Sequence, residues 1–173
     1  MSARWRARRR RARRQLRAAA EQTVRTDPVW TVWCDGSAIP NPGRMGVGAV
    51  LVAPDGSRCA LTQTLPGTGC NNEAELRAVT LALEALKARG AETVRIYSDN
   101  SIVVVQLADV ARPSAPPVAR LDGLFDDARA LAATFRRVEM VWIPRSRNAE
   151  ADALARAALG VGPKQRKAKH MLR

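Results

Sequence analysis

The sequence predicts an α/β protein, a mixed sheet of five strands covered by helices. Three observations predict it. Residues 29–65 hold three runs rich in β-branched and aromatic residues, with an Asp55-Gly56 turn signal between the second and third. Beyond them, apolar side chains recur at helical spacing between a pair of asparagines and Gly90. Short apolar strands then alternate with helical stretches, giving the order βββ, α, β, α, α, β, α.

Each element has a local reason. Residues 29–36, VWTVWCDG, are strong β-formers ending on a turn signal, so the first strand is expected to deliver Asp35 at its carboxyl end. SAIPNPGR, with two prolines, Asn41 and Gly43, reads as a loop. MGVGAVLVA is the second strand, and its small residues allow close backbone approach. Asp55-Gly56 turns the chain, and SRCALTQTL returns to complete an antiparallel meander. Asn71 and Asn72 are placed to cap the next helix, whose apolar side is Leu76, Val79, Leu81, Leu83 and Leu86. Glu75 is then expected in its first turn.

TVRIYS, residues 93–98, is a short strand that presents Asp99 at its end. SIVVVQLA reads two ways: its β-branched residues favour strand, its position and length favour helix. RPSAPP is a loop, residues 117–134 are helical, and RRVEMVWIP is the fifth strand. RNAEADALARAAL closes the domain as a helix with Asn148 as its cap.

At 173 residues the chain has room for one domain with a real core. Its expected bounds are 27–160, between basic tails at 1–26 and 161–173. No apolar run approaches the roughly 18 residues of a membrane span. Cys34, Cys59 and Cys70 are odd in number and lack metal-type spacing, which points to free thiols. With no export signal, a bacterial cytoplasmic setting and a single-subunit protein are expected.

The net charge of +13 is concentrated at the ends. Nine arginines lie between Arg4 and Arg17, and Lys164, Arg166, Lys167, Lys169 and Arg173 close the chain. Removing those fourteen from the 29 basic residues leaves fifteen against all 16 acids in residues 21–162. Tails so charged repel themselves and are expected to stay disordered until they meet a polyanion such as nucleic acid. Solvated ballast, a mis-assigned start and a targeting segment are the competing readings of the first tail.

Four acids stand in four distinctive settings: Asp35 in CDGSAIPNPG, Glu75 in NNEAEL, Asp99 in YSDNS and Asp152 in NAEADALA. Each lies at a strand end or early in a helix. Like charges gathered in a fold raise one another's pKa, so such a cluster implies divalent cations. Taken singly, each has an ordinary explanation as turn chemistry, a helix-dipole residue, a cap or a solvated acid.

The motifs together resemble type 1 ribonuclease H over roughly residues 29–160. They are Asp35-Gly36-Ser37 with Asn41-Pro42-Gly43, Asn71-Asn72 with Glu75-Leu76, Ser98-Asp99, and Asn148 with Ala151-Asp152-Ala153-Leu154-Ala155. The resemblance implies a ribonuclease H-like α/β fold, its first three strands antiparallel and the rest parallel to the first. It implies endonucleolytic hydrolysis of the RNA strand of RNA–DNA hybrids, with 5′-phosphate and 3′-hydroxyl products. Two Mg2+ ions (Mn2+ in their place) about 4 Å apart would activate water and stabilise the leaving oxygen. Asp35 would bridge them, Asp152 would help hold one, and Glu75 with Asp99 the other. Gly36, Asn41, Asn71 and Asn72 would line the minor groove, where the 2′-hydroxyls distinguish RNA.

The chain departs from that pattern in four places. Ser101 stands where many members have glutamine, and Cys70 where threonine commonly meets the DNA phosphate. The loop that often carries a helper histidine is only Pro144-Arg145-Ser146-Arg147, similar to the histidine-less archaeal and bacterial branch. Arg145, a permanent cation, is the candidate for phosphate and product release, with Arg147 second; His170, in the tail, is given no catalytic role. The basic, tryptophan-rich protrusion that grips the hybrid elsewhere is missing; only Arg112 and Arg120 lie in its place. A non-catalytic nucleic-acid-binding module and a resolvase- or integrase-like nuclease remain the rival classes.

Overall fold

The computed structural model describes residues 27–108 and 119–162. The expectations for the two charged tails, for His170 and Arg112, and for the RPSAPP loop fall outside them.

The meander forms from β1 (Val29–Ile39), β2 (Gly43–Val52) and β3 (Arg58–Gly69). Helix α1 (Asn71–Lys87) leads to β4 (Thr93–Ser98) and α2 (Ser101–Ala108). A short 3-10 turn at Ala119–Leu121 opens α3 (Asp122–Ala132), followed by β5 (Arg137–Trp142). A second 3-10 turn, Arg145–Arg147, leads into α4 (Ala149–Ala157). The sheet order is β3-β2-β1-β4-β5. Both meander pairings are antiparallel, and β4 and β5 run parallel to β1.

Alternation along the strands splits the sheet's side chains between two faces. Val32 and Cys34 of β1, Val47, Ala49 and Leu51 of β2, and Val94 and Ile96 of β4 share one core with α1, α2 and α3. Of the anticipated apolar side of α1, Leu76, Val79, Leu83 and Leu86 are buried and Leu81 is partly buried against the same core. The other face of β1 and β2 takes α4. Gly46 and Gly48 make this possible, because a Cβ on either would stand 2.3–2.6 Å from the α4 backbone. Thr62 Oγ1 also donates to the Leu154 carbonyl at 2.9 Å, tying β3 to the same helix.

Several local expectations need correction. β1 does not end at Asp35; it stays paired with β2 through Ile39↔Arg44, so the expected loop shrinks to Pro40-Asn41-Pro42. Its pairing with β4, however, stops at Trp33↔Tyr97. Asp35 therefore lies beyond the carboxyl end of the parallel pair while still inside the antiparallel one. Asn71 and Asn72 do not cap α1: Cys70 holds the N-cap position without a side-chain cap bond, and both asparagines lie within the helix. Glu75 is the fifth residue of α1 and not in its first turn. SIVVVQLA is a helix, with Val103, Val104, Gln106 and Leu107 buried, because packing between α1 and β5 overrides β-propensity. Asn148 occupies the N-cap position of α4 but makes no cap bond; its Nδ2 donates to β1 and to Asp99, and its Oδ1 is buried without a donor.

The Asp55-Gly56 turn forms as anticipated. Gly56 has φ 86, and Ser57 N–H donates to Asp55 Oδ1 at 2.8 Å.

Candidate active site

The three nearest acids come from three elements. Asp35 projects from β1 where β4 has diverged, Glu75 from the second turn of α1, and Asp99 from the residue after β4. Each offers one oxygen, and these oxygens all lie within 4.8 Å of one another. Gly36 is what lets α1 come so close. A Cβ there would be 2.0 Å from the Ala74 carbonyl carbon, so only glycine brings β1 against the α1 backbone. The Gly36 N–H in turn supplies a hydrogen bond to the Glu75 carboxyl.

Burial and mutual repulsion dominate the electrostatics. Asp35 is 1% exposed, and neither carboxyl oxygen has a hydrogen-bond donor; one oxygen of Glu75 is also buried without one. Burial pushes Asp35 up from 3.8 to about 6, assisted by the charges of Asp99 and Asp152 and opposed by a hydrogen bond with Glu75 and by Arg145. Burial, then Asp35, raises Glu75 well above the usual carboxyl range. Without cations, burial and mutual repulsion therefore favour the protonated form of this coupled pair. Cys34, behind them in the core, is likewise pushed up by burial and by Glu75, Asp35 and Asp99, which keeps its thiol neutral.

Asp152, buried on α4, stands beside this trio. Its Oδ1 accepts from Arg145 Nη2 at 2.7 Å, and Arg145 Nε is 4.0 Å from Asp99 Oδ2. The protonated guanidinium thus spans two of the four acids, and its hydrogen bond to Asp152 holds its own pKa up.

The amides are arranged as a linked chain. Asn41 Oδ1 accepts the Asn71 N–H at 3.0 Å, and Asn71 Oδ1 accepts the Ala38 N–H at 2.8 Å. Asn72 Oδ1 accepts from Asn100 Nδ2 at 3.0 Å. Gly36, Asn71, Asn72, Glu75, Asp99 and Arg145 line one open cleft of about 540 Å³. Asn41 lies outside it and acts on the cleft only through Asn71.

The roles of three residues escaped the sequence reading, although it named Asn148 as a cap and motif residue and Arg120 in the place of the basic protrusion. Asn148 is 1% exposed and donates from Nδ2 to Asp99 Oδ1 at 2.7 Å and to the Cys34 carbonyl at 2.9 Å. It holds a candidate ligand against β1 while beginning the helix that carries Asp152. Asn100 accepts the Ile102 and Val103 N–H groups at 3.0 and 3.2 Å, so it is the true cap of α2 and links it to Asn72. An asparagine just before an apolar run was the signal for that role. Arg120 places Nη2 2.9 Å from Cys70 Sγ, beside the start of α1; nothing local in the sequence pairs those two.

The carboxylates fit a hard divalent cation, which prefers oxygen ligands and would satisfy the donorless oxygens of Asp35 and Glu75.

Comparison with known proteins agrees with this architecture. The family model described as reverse transcriptase-like matches residues 34–158. The bifunctional protein Rv2228c of Mycobacterium tuberculosis is 35% identical over 126 residues, which are 72% of this chain and 34% of that protein. The chain thus spans about a third of the length of the curated relatives it first matches. The solved structure of the N-terminal ribonuclease H domain of Rv2228c, a fusion with maltose binding protein, superposes with a TM-score of 0.68 at 33% identity, covering 78% of this chain and 95% of that one. Ribonuclease HI of Halobacterium salinarum is 35% identical over 72% of this chain and 61% of its own length. LC11-RNase H1, solved in complex with an RNA/DNA hybrid, has a TM-score of 0.65 at 28% identity, covering 76% and 96%. With this fold, this order of acids and these relatives, the chain belongs to the reverse transcriptase-like family, that of the type 1 ribonucleases H.

Proposed function

We propose that the protein is an endonuclease that hydrolyses the RNA strand of RNA–DNA hybrids, leaving 5′-phosphate and 3′-hydroxyl ends, with residues 27–160 as its catalytic domain. The observation that carries this reading is the buried trio of Asp35, Glu75 and Asp99, with donorless oxygens, opening on a cleft lined by Asn71 and Asn72. A pair of Mg2+ ions, or Mn2+, held by Asp35, Glu75, Asp99 and Asp152, would supply an activated water and offset charge on the leaving oxygen.

The chain's own residues prepare that chemistry. Asp35 is influenced by Asp99 and Asp152 alike, which suits it to a bridging position. Asn148 fixes the aim of Asp99, and Arg145 pins Asp152. Arg145 cannot act as a base, but its exposed guanidinium can take a phosphate oxygen when Asp152 is otherwise engaged. Asn71, Asn72 and the Gly36 backbone face the cleft, where amides can both donate to and accept from 2′-hydroxyls. Asn41 supports this group from behind, through Asn71. Arg120, beside Cys70, offers a cation for the DNA phosphate that threonine meets in other members. The LC11-RNase H1 complex with an RNA/DNA hybrid supports the choice of substrate.

Parallel assays with hybrid, duplex DNA, duplex RNA and a four-way junction, each with Mg2+ or with chelator, test the proposal. Metal-dependent cleavage of the hybrid alone is expected. Junction cleavage would favour the resolvase class, and binding without any cleavage would favour the non-catalytic one.

A further inference from the structure

Among the described residues, the face of the sheet that carries α4 is only half covered, by that helix. α4 packs on β2 and β1 and reaches β3; α1, α2 and α3 share the core on the opposite side. Alternation places Trp33 of β1, Arg95 and Tyr97 of β4, and Glu139 and Val141 of β5 on the α4 side, next to that helix. Trp33 and Tyr97 are register partners, with ring centroids 5.1 Å apart and planes inclined by 23°. Both rings and Val141 are half-buried. A cavity of about 250 Å³, roomy enough for a nucleobase, opens beside Trp33 and is bounded by Arg58, Arg147, Asn148 and Glu150.

The rim is basic. Arg58, Arg95, Arg137 and Arg147 are exposed around the aromatic pair; Arg58 pairs with Glu150 at 2.7 Å, and Arg95 and Arg137 share Glu139 at 3.0 and 3.7 Å, which leaves the arginines in excess over the two acids. Stacking rings beside guanidinium groups are what single-stranded nucleic acid requires, since every base has a π-face and every nucleotide a phosphate. Position narrows the choice of strand. Trp33 and Asp35 project from the same side of β1, one side-chain repeat or about 7 Å apart. A strand with its phosphate held at the carboxylates would come against Trp33 if it left the duplex along β1. Under the hydrolase reading, on which this step rests, that strand is the RNA.

We propose that this face binds single-stranded RNA continuous with the hybrid, one base entering the cavity against Trp33 and the phosphates lying on Arg58 and Arg147. The full-length chain carrying Asp35→Asn is expected to bind without cleaving, so fluorescence anisotropy in chelator can compare a blunt hybrid with hybrids bearing a short RNA or DNA overhang. The RNA overhang is expected to tighten binding about fivefold to tenfold. Trp33→Leu and Arg58→Glu should each abolish that gain while the blunt hybrid binds as before, and Trp33→Phe should keep most of it. Circular dichroism checks that each variant is folded; should Trp33→Leu unfold, Arg58→Glu decides. No gain from RNA, a gain that survives Trp33→Leu or Arg58→Glu, or a gain confined to the DNA overhang would overturn the proposal. Any of these results would leave the parent chain's cleavage of blunt hybrid intact, so each is distinguishable from failure of the hydrolase reading.

Discussion

Asp35 is almost fully buried and feels the charges of Asp99 and Asp152. Its carboxyl is raised from 3.8 to about 6 by burial first and by Asp99 and Asp152 next. A folded-state pKa above the unfolded one means that the native state binds the proton more tightly. Metal-free stability is therefore greatest below the unfolded carboxyl value and declines as pH rises through about 6. The shift corresponds to at most about 3 kcal/mol. Urea denaturation in chelator at pH 5 and pH 7.5 should show this loss. Asp35→Asn should flatten it, leave the fold intact and abolish hybrid cleavage, whereas added Mg2+ should stabilise the parent protein more at pH 7.5 than at pH 5.

Asn148 is the other decisive residue. Truncating a buried amide that holds both Asp99 and the Cys34 carbonyl costs about 2 kcal/mol. Loss of a partner that orients a ligand lowers metal affinity or activity roughly 10- to 100-fold. Asn148→Ala should therefore weaken Mn2+ binding, measured calorimetrically, by more than its drop in melting temperature alone accounts for. Unchanged Mn2+ affinity would reduce Asn148 to a packing residue. Asn148 was visible in the sequence as a conventional cap, and only its burial against β1 reveals the different use of its amide.

At the level of elements, the site depends on how near two helices come to the sheet. Gly36 admits α1, and Gly46 with Gly48 admits α4. A methyl group at residue 48 would stand 2.5 Å from the Ala155 nitrogen, and neighbouring backbone cannot give way cheaply. Gly48→Ala should destabilise the fold by about 1–3 kcal/mol in chemical denaturation and, by lifting α4 and Asp152 from β1, lower turnover further. The strands and helices themselves were legible because their periodicities are local. SIVVVQLA was not, since β-branched residues contradict its helical placement and only contact with α1 and β5 resolves it. The end of β1 was misread for a similar reason. A strand can remain paired on one side after its partner on the other has left, and DGSAI contains no local sign of that.

For the molecule as a whole, charge is separated from chemistry. Residues 21–162 are close to neutral, and the arginines of the first tail carry most of the excess. If those arginines supply substrate affinity in place of the missing basic protrusion, deleting residues 1–20 should raise the Michaelis constant and flatten the salt dependence of cleavage more than it lowers turnover. A salt slope that survives the deletion would remove this role. Among the described residues no helix is long and apolar enough to cross a membrane.

By itself, the sequence determined the order of strands and helices and the identity of the four acids, because turn signals, periodicity and motif spacing are properties of neighbouring residues. Tertiary structure alone decided that Asp35 sits where β1 outruns β4, that Arg145 bridges Asp152 toward Asp99, and that Asn148 serves Asp99 from 49 residues away. Those are relations between surfaces brought together by burial, and hydrogen-bond partners are chosen only after the backbone has closed around them.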